Sequence, residues 1–234
     1  ASAKSITAVL PYFAYARQDR KVSPRSPISA KLFANLLMGS GASRVLTMDL
    51  HANQIQGFFD IPVDNLFAAP TFVQHIKKNI KSKNIVCVAP DVGGVERARA
   101  VGKRLSADLA IIDKRRSGPG KSEVMNVIGD VKNKICVIFD DLVDSGGTIV
   151  NAASALKKKG AKDVYAYVVH GVFTGEAVKK INNSKIKKFV ISNSILNIKK
   201  IKKSKKFQVI SVGTLFAEAI KRISISKSVS KLFK

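Results

Sequence analysis

Short apolar runs alternate with amphipathic stretches along the whole chain. Runs rich in Val, Ile, Phe and Leu predict strands at Ile6–Tyr12, Arg44–Asp49, Asn84–Ala89, Leu109–Asp113, Lys134–Phe139, Asp163–Val169, Lys187–Ile191 and Gln208–Ser211. Apolar positions at helical spacing predict helices at Ser29–Met38, Pro70–Ile80, Val95–Leu105, Ile149–Lys159, Thr174–Asn182 and Leu215–Ile223. Strand and helix in regular alternation predict an α/β fold with parallel sheets flanked by helices. Ligands then belong at the carboxyl ends of the strands. A helix that starts afresh at Pro70 puts a domain boundary near Asn65–Ala69.

The most informative string lies at such a strand end. Val137 to Thr148 reads VIFDDLVDSGGT and is followed by the helical pattern IVNAASALKKKG. An apolar run meets two acids, then an apolar pair, a third Asp, and Ser-Gly-Gly-Thr. Glycines allow a tight turn and close backbone approach. A turn opening a helix presents backbone N–H groups to an anion. Asp140 and Asp141 repel a phosphate but accept hydrogen bonds from sugar hydroxyls. One loop can therefore hold a phosphorylated sugar from both ends. Three acids in five residues favour no turn type, which points to a ligand or metal.

Other chemical segments also follow strands. Pro11–Lys21, PYFAYARQDRK, combines aromatics with Arg17 and Arg20, a composition suited to a purine and its phosphates. Asp49–Asn65 places His51 as a metal ligand or phosphate contact. Asp91 precedes Gly93-Gly94 and the start of a helix, so it can take Mg²⁺ while the glycines admit phosphate. Ile111–Val124 puts Lys114, Arg115 and Arg116 at a strand end, with Ser-Gly-Pro-Gly after them. Such a loop reads as mobile, and cations on a loop that closes suit phosphoryl transfer.

Composition changes the picture little. The chain has 234 residues with an ordinary apolar fraction of 46%. The first residues do not form a signal peptide, and no apolar run reaches transmembrane length, so no membrane partner is expected. Cys87 and Cys136 sit inside apolar runs and read as buried hydrophobes, which fits a cytoplasmic setting. Much of the net charge of +25 lies in Lys179–Lys206, without aromatic interleaving or a nucleic-acid-binding signature. That stretch reads as a solvated surface, and no specific nucleic acid partner is expected.

Taken in order, PYFAYARQDRK, SPRSPISAK, DLHANQIQGFFDIPVDN, PDVGGVERARA, IIDKRR and FDDLVDSGGT resemble ribose-phosphate pyrophosphokinases (PRPP synthases). The likeness runs through the closing VISVGTLFAEAIKRI. It implies two type I phosphoribosyltransferase-like domains, the first incomplete, because the family carries a longer segment ahead of ITAVLPYF. The implied division is 1–66 for the remainder of the first domain, 67–213 for the second, and 214–234 for a helix packing back on the first.

The resemblance also implies the reaction: the diphosphoryl group of ATP passes to the 1-hydroxyl of ribose 5-phosphate, giving PRPP and AMP. Arg17 and Gln18 match the ATP-contacting pair. His51 and Asp91 match the Mg²⁺-associated positions. Lys114 and Arg116 match the catalytic cations, Arg116 also reaching the sugar phosphate. Asp140, Asp144, Ser145, Gly146, Gly147 and Thr148 match the ribose-5-phosphate site, and Asp141 completes the acidic pair. The family assembles dimers into homohexamers. Ala14 departs from the Gly common there, and the Lys-rich stretch is more basic than the family. A non-catalytic regulatory paralogue or an inactive fragment is the alternative, and the intact Lys-x-Arg and acidic motifs favour the catalyst.

Overall fold

A computed structural model of the chain describes residues 2–115, 124–196 and 198–233. The chain divides into two compact units, Ala1–Ala68 with Gly213–Lys234, and Ala69–Val212.

The first unit holds β1 (Thr7–Leu10), α1 (Ser29–Gly39), β2 (Arg44–Met48) and β3 (Val63–Leu66). Its three strands are parallel, in the order β1-β2-β3. β1 stops at Leu10 because Pro11 has no N–H to continue the ladder. Phe13, just beyond, turns into the core with Ala30, Ala34, Val45, Leu50 and Ile55. Phe33 and Phe59 meet its ring edge-on at 5.1 and 5.9 Å. Ile6 and Val9 beside the unpaired edge of β1, and Leu32 and Leu36 on α1, are exposed.

The second unit holds α2 (Ala69–Asn79), β4 (Ile85–Ala89), α3 (Val95–Leu105), β5 (Asp108–Arg115), β6 (Val124–Ile128), β7 (Ile135–Val143), α4 (Gly147–Lys158), β8 (Asp163–Gly171), α5 (Ala177–Asn182), β9 (Lys188–Ser192), α6 (Ile198–Ile201) and β10 (Phe207–Ile210). The closing helix α7 (Gly213–Ser224) belongs to the first unit.

Seven strands lie in the order β10-β9-β8-β7-β4-β5-β6, all parallel except β6. Side chains alternate across this sheet. Val86, Val88, Cys136 and Ile138 pack with α4 and α5 residues in one core. On the other face Phe72 of α2 meets Tyr167, and Tyr167 meets Phe139. The Nδ1 of His75 on α2 shares a 2.9 Å hydrogen bond with the Tyr167 hydroxyl. Both faces are buried, so the central strands read as nearly continuous apolar runs.

Cys87 pairs with Val137 and Cys136 with Val86. The cysteines therefore sit on neighbouring strands with their side chains on opposite faces. Burial pushes each thiol up to about 12.

Three elements were not legible in the sequence. β3 reads VDNL, with polar Asp64 and Asn65 at positions where a strand normally carries β-formers. β6 adds an antiparallel edge to a sheet expected to be parallel, pairing with β5 from Ile111 against Ile128 to Arg115 against Val124. α6 is four residues long inside the Lys-rich stretch. One boundary also moves. The expected strand ended at Phe139, but β7 continues to Val143, so Asp140 and Asp141 are strand residues paired alongside β8.

Candidate active site

Strand order reverses direction between β7 and β4, with β8, β9 and β10 on one side and β5 and β6 on the other. A crevice at the carboxyl ends of those two strands is where ligands bind in open α/β sheets. Asp91 follows β4, the acidic pair lies near the end of β7, and Asp144–Thr148 follow β7 into α4.

Asp91 sits in extended backbone ahead of the turn into α3, and its Oδ1 accepts the Gly94 N–H at 3.1 Å. This fixes the carboxylate and leaves its other oxygen toward Lys114. Lys114, near the end of β5, places its Nζ 3.9 Å from Asp91 Oδ2. The same ammonium donates to Thr148 Oγ1 at 3.2 Å. Residues from β5, the β4 turn and the start of α4 thus converge on one cation. Lys114 is 22% exposed and Asp91 47%, so the pair remains open to a ligand.

Beside them Arg97, in the first turn of α3, lies between the acids of β7. Its Nη1 is 3.5 Å from Asp141 Oδ1 and 4.0 Å from Asp140 Oδ1. Asp140 Oδ1 also accepts the Asp141 N–H at 3.0 Å. Burial holds the Asp140 carboxyl well above the usual range, the Asp141 charge and hydrogen bond push it the same way, and Arg97 opposes them. Arg97 escaped the sequence reading. The signal was its place one turn into the helix that follows Gly93-Gly94.

The turn into α4 is set by Gly146, whose φ of +77° is left-handed. No side-chain hydrogen bond caps α4 at Gly146, and a helix N-terminus of this kind suits an anion. Asp144 anchors the turn, its carbonyl accepting the Thr174 N–H at 3.1 Å and its Oδ1 the Thr174 hydroxyl at 2.5 Å. Ser145 and Gly147 complete the loop.

The remaining predicted residues lie in the first unit. Arg17 and Gln18 are exposed on the loop after β1, where Tyr15 has a φ of +61° and Gln18 N–H donates to Tyr15 O at 2.8 Å. His51 is exposed on the loop after β2. Gln54 Nε2 donates to Asp19 Oδ2 at 2.6 Å and ties these two loops together. Phe13 is a core residue and therefore not a stacking surface for a purine, whereas Tyr15 is exposed. Arg116 and the Ser-Gly-Pro-Gly stretch lie outside the described residues.

Two family models match the chain. Residues 1–41 match the N-terminal domain of ribose phosphate pyrophosphokinase, and residues 116–234 match the phosphoribosyl synthetase-associated domain. The ribose-phosphate pyrophosphokinase of Brucella melitensis is 59% identical over 232 residues, covering 99% of this chain and 75% of that protein. The ribose-phosphate pyrophosphokinase of Bradyrhizobium diazoefficiens is 57% identical, covering 99% and 73%. This chain belongs to the ribose-phosphate pyrophosphokinase family. The crystal structure of phosphoribosylpyrophosphate synthetase from Mycobacterium smegmatis superposes with a TM-score of 0.89 at 39% identity, covering 96% of this chain and 73% of that one. The family is one of transferases, and the chain is an enzyme of that class. Its α/β fold of parallel-rich sheets flanked by helices is that of the synthetase. Among the described residues no helix is long and apolar enough to cross a membrane.

Proposed function

We propose that the chain transfers the diphosphoryl group of ATP to the 1-hydroxyl of ribose 5-phosphate, releasing PRPP and AMP for nucleotide biosynthesis. The observation that carries this is Lys114, held between Asp91 and Thr148 at the carboxyl edge of the sheet. It places one cation between a carboxylate and a loop with the features of a sugar-phosphate site.

In the proposed complex the 5-phosphate lies on the amides of Gly146 to Thr148, at the N-terminus of α4. Asp140 and Asp141 accept hydrogen bonds from the ribose hydroxyls, and Asp144 holds the loop through Thr174. This orients the 1-hydroxyl, an effect of positioning rather than of base strength. The new bond joins the sugar 1-oxygen to the β-phosphorus. The bond from that phosphorus to the oxygen bridging it to the α-phosphate breaks, AMP leaves with the electron pair, and the hydroxyl proton passes to solvent. Lys114 offsets negative charge spread over the transferring oxygens. Arg116, two residues on, is proposed as the second cation. Arg17 and Gln18 are proposed to contact ATP.

The donors present suit Mg²⁺. Asp91 offers a fixed hard oxygen, and no group of three or more His, Cys, Asp or Glu forms an all-protein cage among the described residues. That pattern is what Mg²⁺ uses when substrate phosphates complete its shell. Asp91 is the proposed protein contact in the second unit, and His51, in the first unit, is proposed as Mg²⁺-associated on the resemblance alone. Bound there, the ion neutralises phosphate charge and polarises the diphosphoryl group. A cytoplasmic homo-oligomer, hexameric as in the resemblance, completes the proposal.

The test is direct. The purified chain is incubated with ATP, Mg²⁺ and ribose 5-phosphate, and AMP and PRPP are quantified. Equimolar formation of both, abolished by a chelator, is expected. Release of ADP, or no turnover while ribose 5-phosphate still binds, overturns the reading.

A further inference from the structure

Parallel strands send every helix-to-strand return in Ala69–Val212 to one edge of the sheet, opposite the candidate active site. That edge gathers lysines from far apart in the sequence. Lys81 and Lys83 precede β4, and Lys132 and Lys134 precede β7. Lys158, Lys159 and Lys162 precede β8. Lys185 and Lys187 lead into β9, and Lys202, Lys203 and Lys205 into β10.

Backbone hydrogen bonds join these returns into a continuous row. Ile135 N–H donates to Asn84 O at 2.9 Å, Asn133 N–H to Gly160 O at 2.8 Å, Lys187 N–H to Val164 O at 2.7 Å, and Phe189 N–H to Lys206 O at 3.0 Å. The row crosses five neighbouring strands, β4, β7, β8, β9 and β10. At strand spacing it is about 19 Å long. The carboxylates beside it are Asp108, Asp130 and Asp163. Asp108 and Asp130 pair with Lys134, and Asp163 pairs with Lys187. The other lysines named here are exposed. A net positive row therefore remains after local pairing.

We infer that this lysine-lined edge is a docking surface for a nucleic-acid duplex, gripped through its phosphates without reading sequence. A duplex carries one charge about every 1.7 Å along its axis, a density that a lysine row of this length can follow. The apolar side chains of the same returns, Ile80, Val131 and Ile186, are buried. The edge therefore lacks the apolar anchors of a membrane-lying surface, and its half-buried Tyr165 lies under the Lys187 ammonium at 5.7 Å rather than open for a base to stack. The acids of β7 stand six residues along that strand from Lys134, roughly 20 Å away. Docking and catalysis thus use opposite edges.

The experiment is fluorescence anisotropy with a labelled RNA duplex of random sequence, titrated from 50 to 200 mM salt. Contact with about five phosphates gives a log–log salt slope near −4.5. Substituting Lys158→Gln, Lys185→Gln, Lys202→Gln and Lys203→Gln together is expected to weaken binding at least ~10-fold and flatten the slope by about 3 to 4. Arginine at the same four positions retains binding, which separates charge from folding. The control set Lys4→Gln, Lys221→Gln, Lys227→Gln and Lys231→Gln changes affinity less than about twofold. Saturating ATP leaves duplex binding unchanged. Equal losses in the two glutamine sets, tighter binding of a single strand, or preferential capture of anionic vesicles or polyglutamate by the same edge overturns the inference. Absence of binding at 200 mM salt overturns it as well.

Discussion

Arg97 Nη1 lies 3.5 Å from Asp141 Oδ1, in a place where Asp141 is only 5% exposed. The helix that carries Arg97 begins in the turn of Asp91, so one short segment supplies both a crevice carboxylate and the counter-charge for the acids of β7. Arg97 is thereby a positioning residue for the sugar side of the site. Arg97→Ala is expected to raise KM for ribose 5-phosphate about tenfold or more, the worth of one charge-assisted contact, with a smaller fall in kcat. Arg97→Lys should recover part of it, since Lys keeps the charge but not the guanidinium fork. Steady-state kinetics with the melting temperature recorded alongside checks this. Loss of stability with unchanged KM would reduce Arg97 to a structural role.

Asp140 makes a pH-dependent prediction. Its folded pKa is raised, chiefly by burial and next by the Asp141 charge, so the folded state holds this proton more tightly than the unfolded state. The unfolded state then binds fewer protons between the ordinary carboxylate value and the raised one, and stability falls as pH rises through that window. Asp140→Asn removes the cost of the buried charge. It should stabilise the protein at pH 8 relative to the parent, with the gain shrinking as pH is lowered toward the ordinary carboxylate range. Ribose 5-phosphate binding should weaken in the same variant. Urea unfolding at pH 8 and pH 5, with calorimetry for the sugar, reads both effects. A gain equal at the two pH values would mean that the substitution acts through packing instead.

Gly146 tests the turn. Its φ of +77° is left-handed, and an added Cβ would meet Ala177 O and Ile181 at 3.5 Å. Space is therefore ordinary and the backbone conformation is the obstacle. Gly146→Ala should cost roughly 1–2 kcal/mol of stability. It should also weaken ribose 5-phosphate, because relaxation of φ turns the N–H groups of α4 away from the phosphate. Denaturant titration and calorimetry of one preparation measure the two losses. A stability cost with intact affinity would move the phosphate elsewhere.

Asp144 has a narrower task. It accepts the Thr174 N–H and hydroxyl, which fixes the loop from outside the helix. Asp144→Ala should lower ribose 5-phosphate affinity, and Thr174→Val, which removes the same side-chain contact but leaves the Asp144 carboxylate in the loop, should lower it less. Unchanged affinity in Asp144→Ala would count against a sugar site at this loop.

The alternation of the chain was enough to expose the parallel core. Strands buried on both faces, such as β4 and β7, announce themselves as Val- and Ile-rich runs between helical patterns. The loops at their carboxyl ends announce themselves by Gly-Gly and clustered acids. The elements that stayed hidden lacked a local signal. β3 forms around polar Asn65, whose Oδ1 accepts the Leu50 N–H in the interior, so a tertiary contact overrides weak propensity. The extension of β7 through Asp140 and Asp141 has the same origin, because the ladder with β8 and the Arg97 charge outweigh the poor strand propensity of Asp. Arg97 itself was illegible because its meaning depends on where α3 lies against β7. Likewise, the lysines read as one basic stretch from Lys179 to Lys206. Only the sheet order shows that they share an edge with Lys81, Lys132 and Lys158.

Lys114 is the residue on which the proposed chemistry turns. Its ammonium touches Thr148 Oγ1 at 3.2 Å and faces Asp91 at 3.9 Å, so both a neutral and a charged partner aim it at the crevice. If its charge acts on the transferring diphosphoryl group, its contribution grows as charge redistributes in the transition state. Lys114→Ala should then lower kcat by about 10²–10³-fold, while ribose 5-phosphate affinity stays nearly constant. Thr148→Val keeps the ammonium but removes one aiming contact, and should give a smaller loss of kcat. Rapid-quench measurement of AMP formation, with sugar affinity from calorimetry, separates binding from turnover. Parallel loss of both in Lys114→Ala would place the lysine in ground-state sugar binding, and the charge-neutralising role would have to pass to other cations.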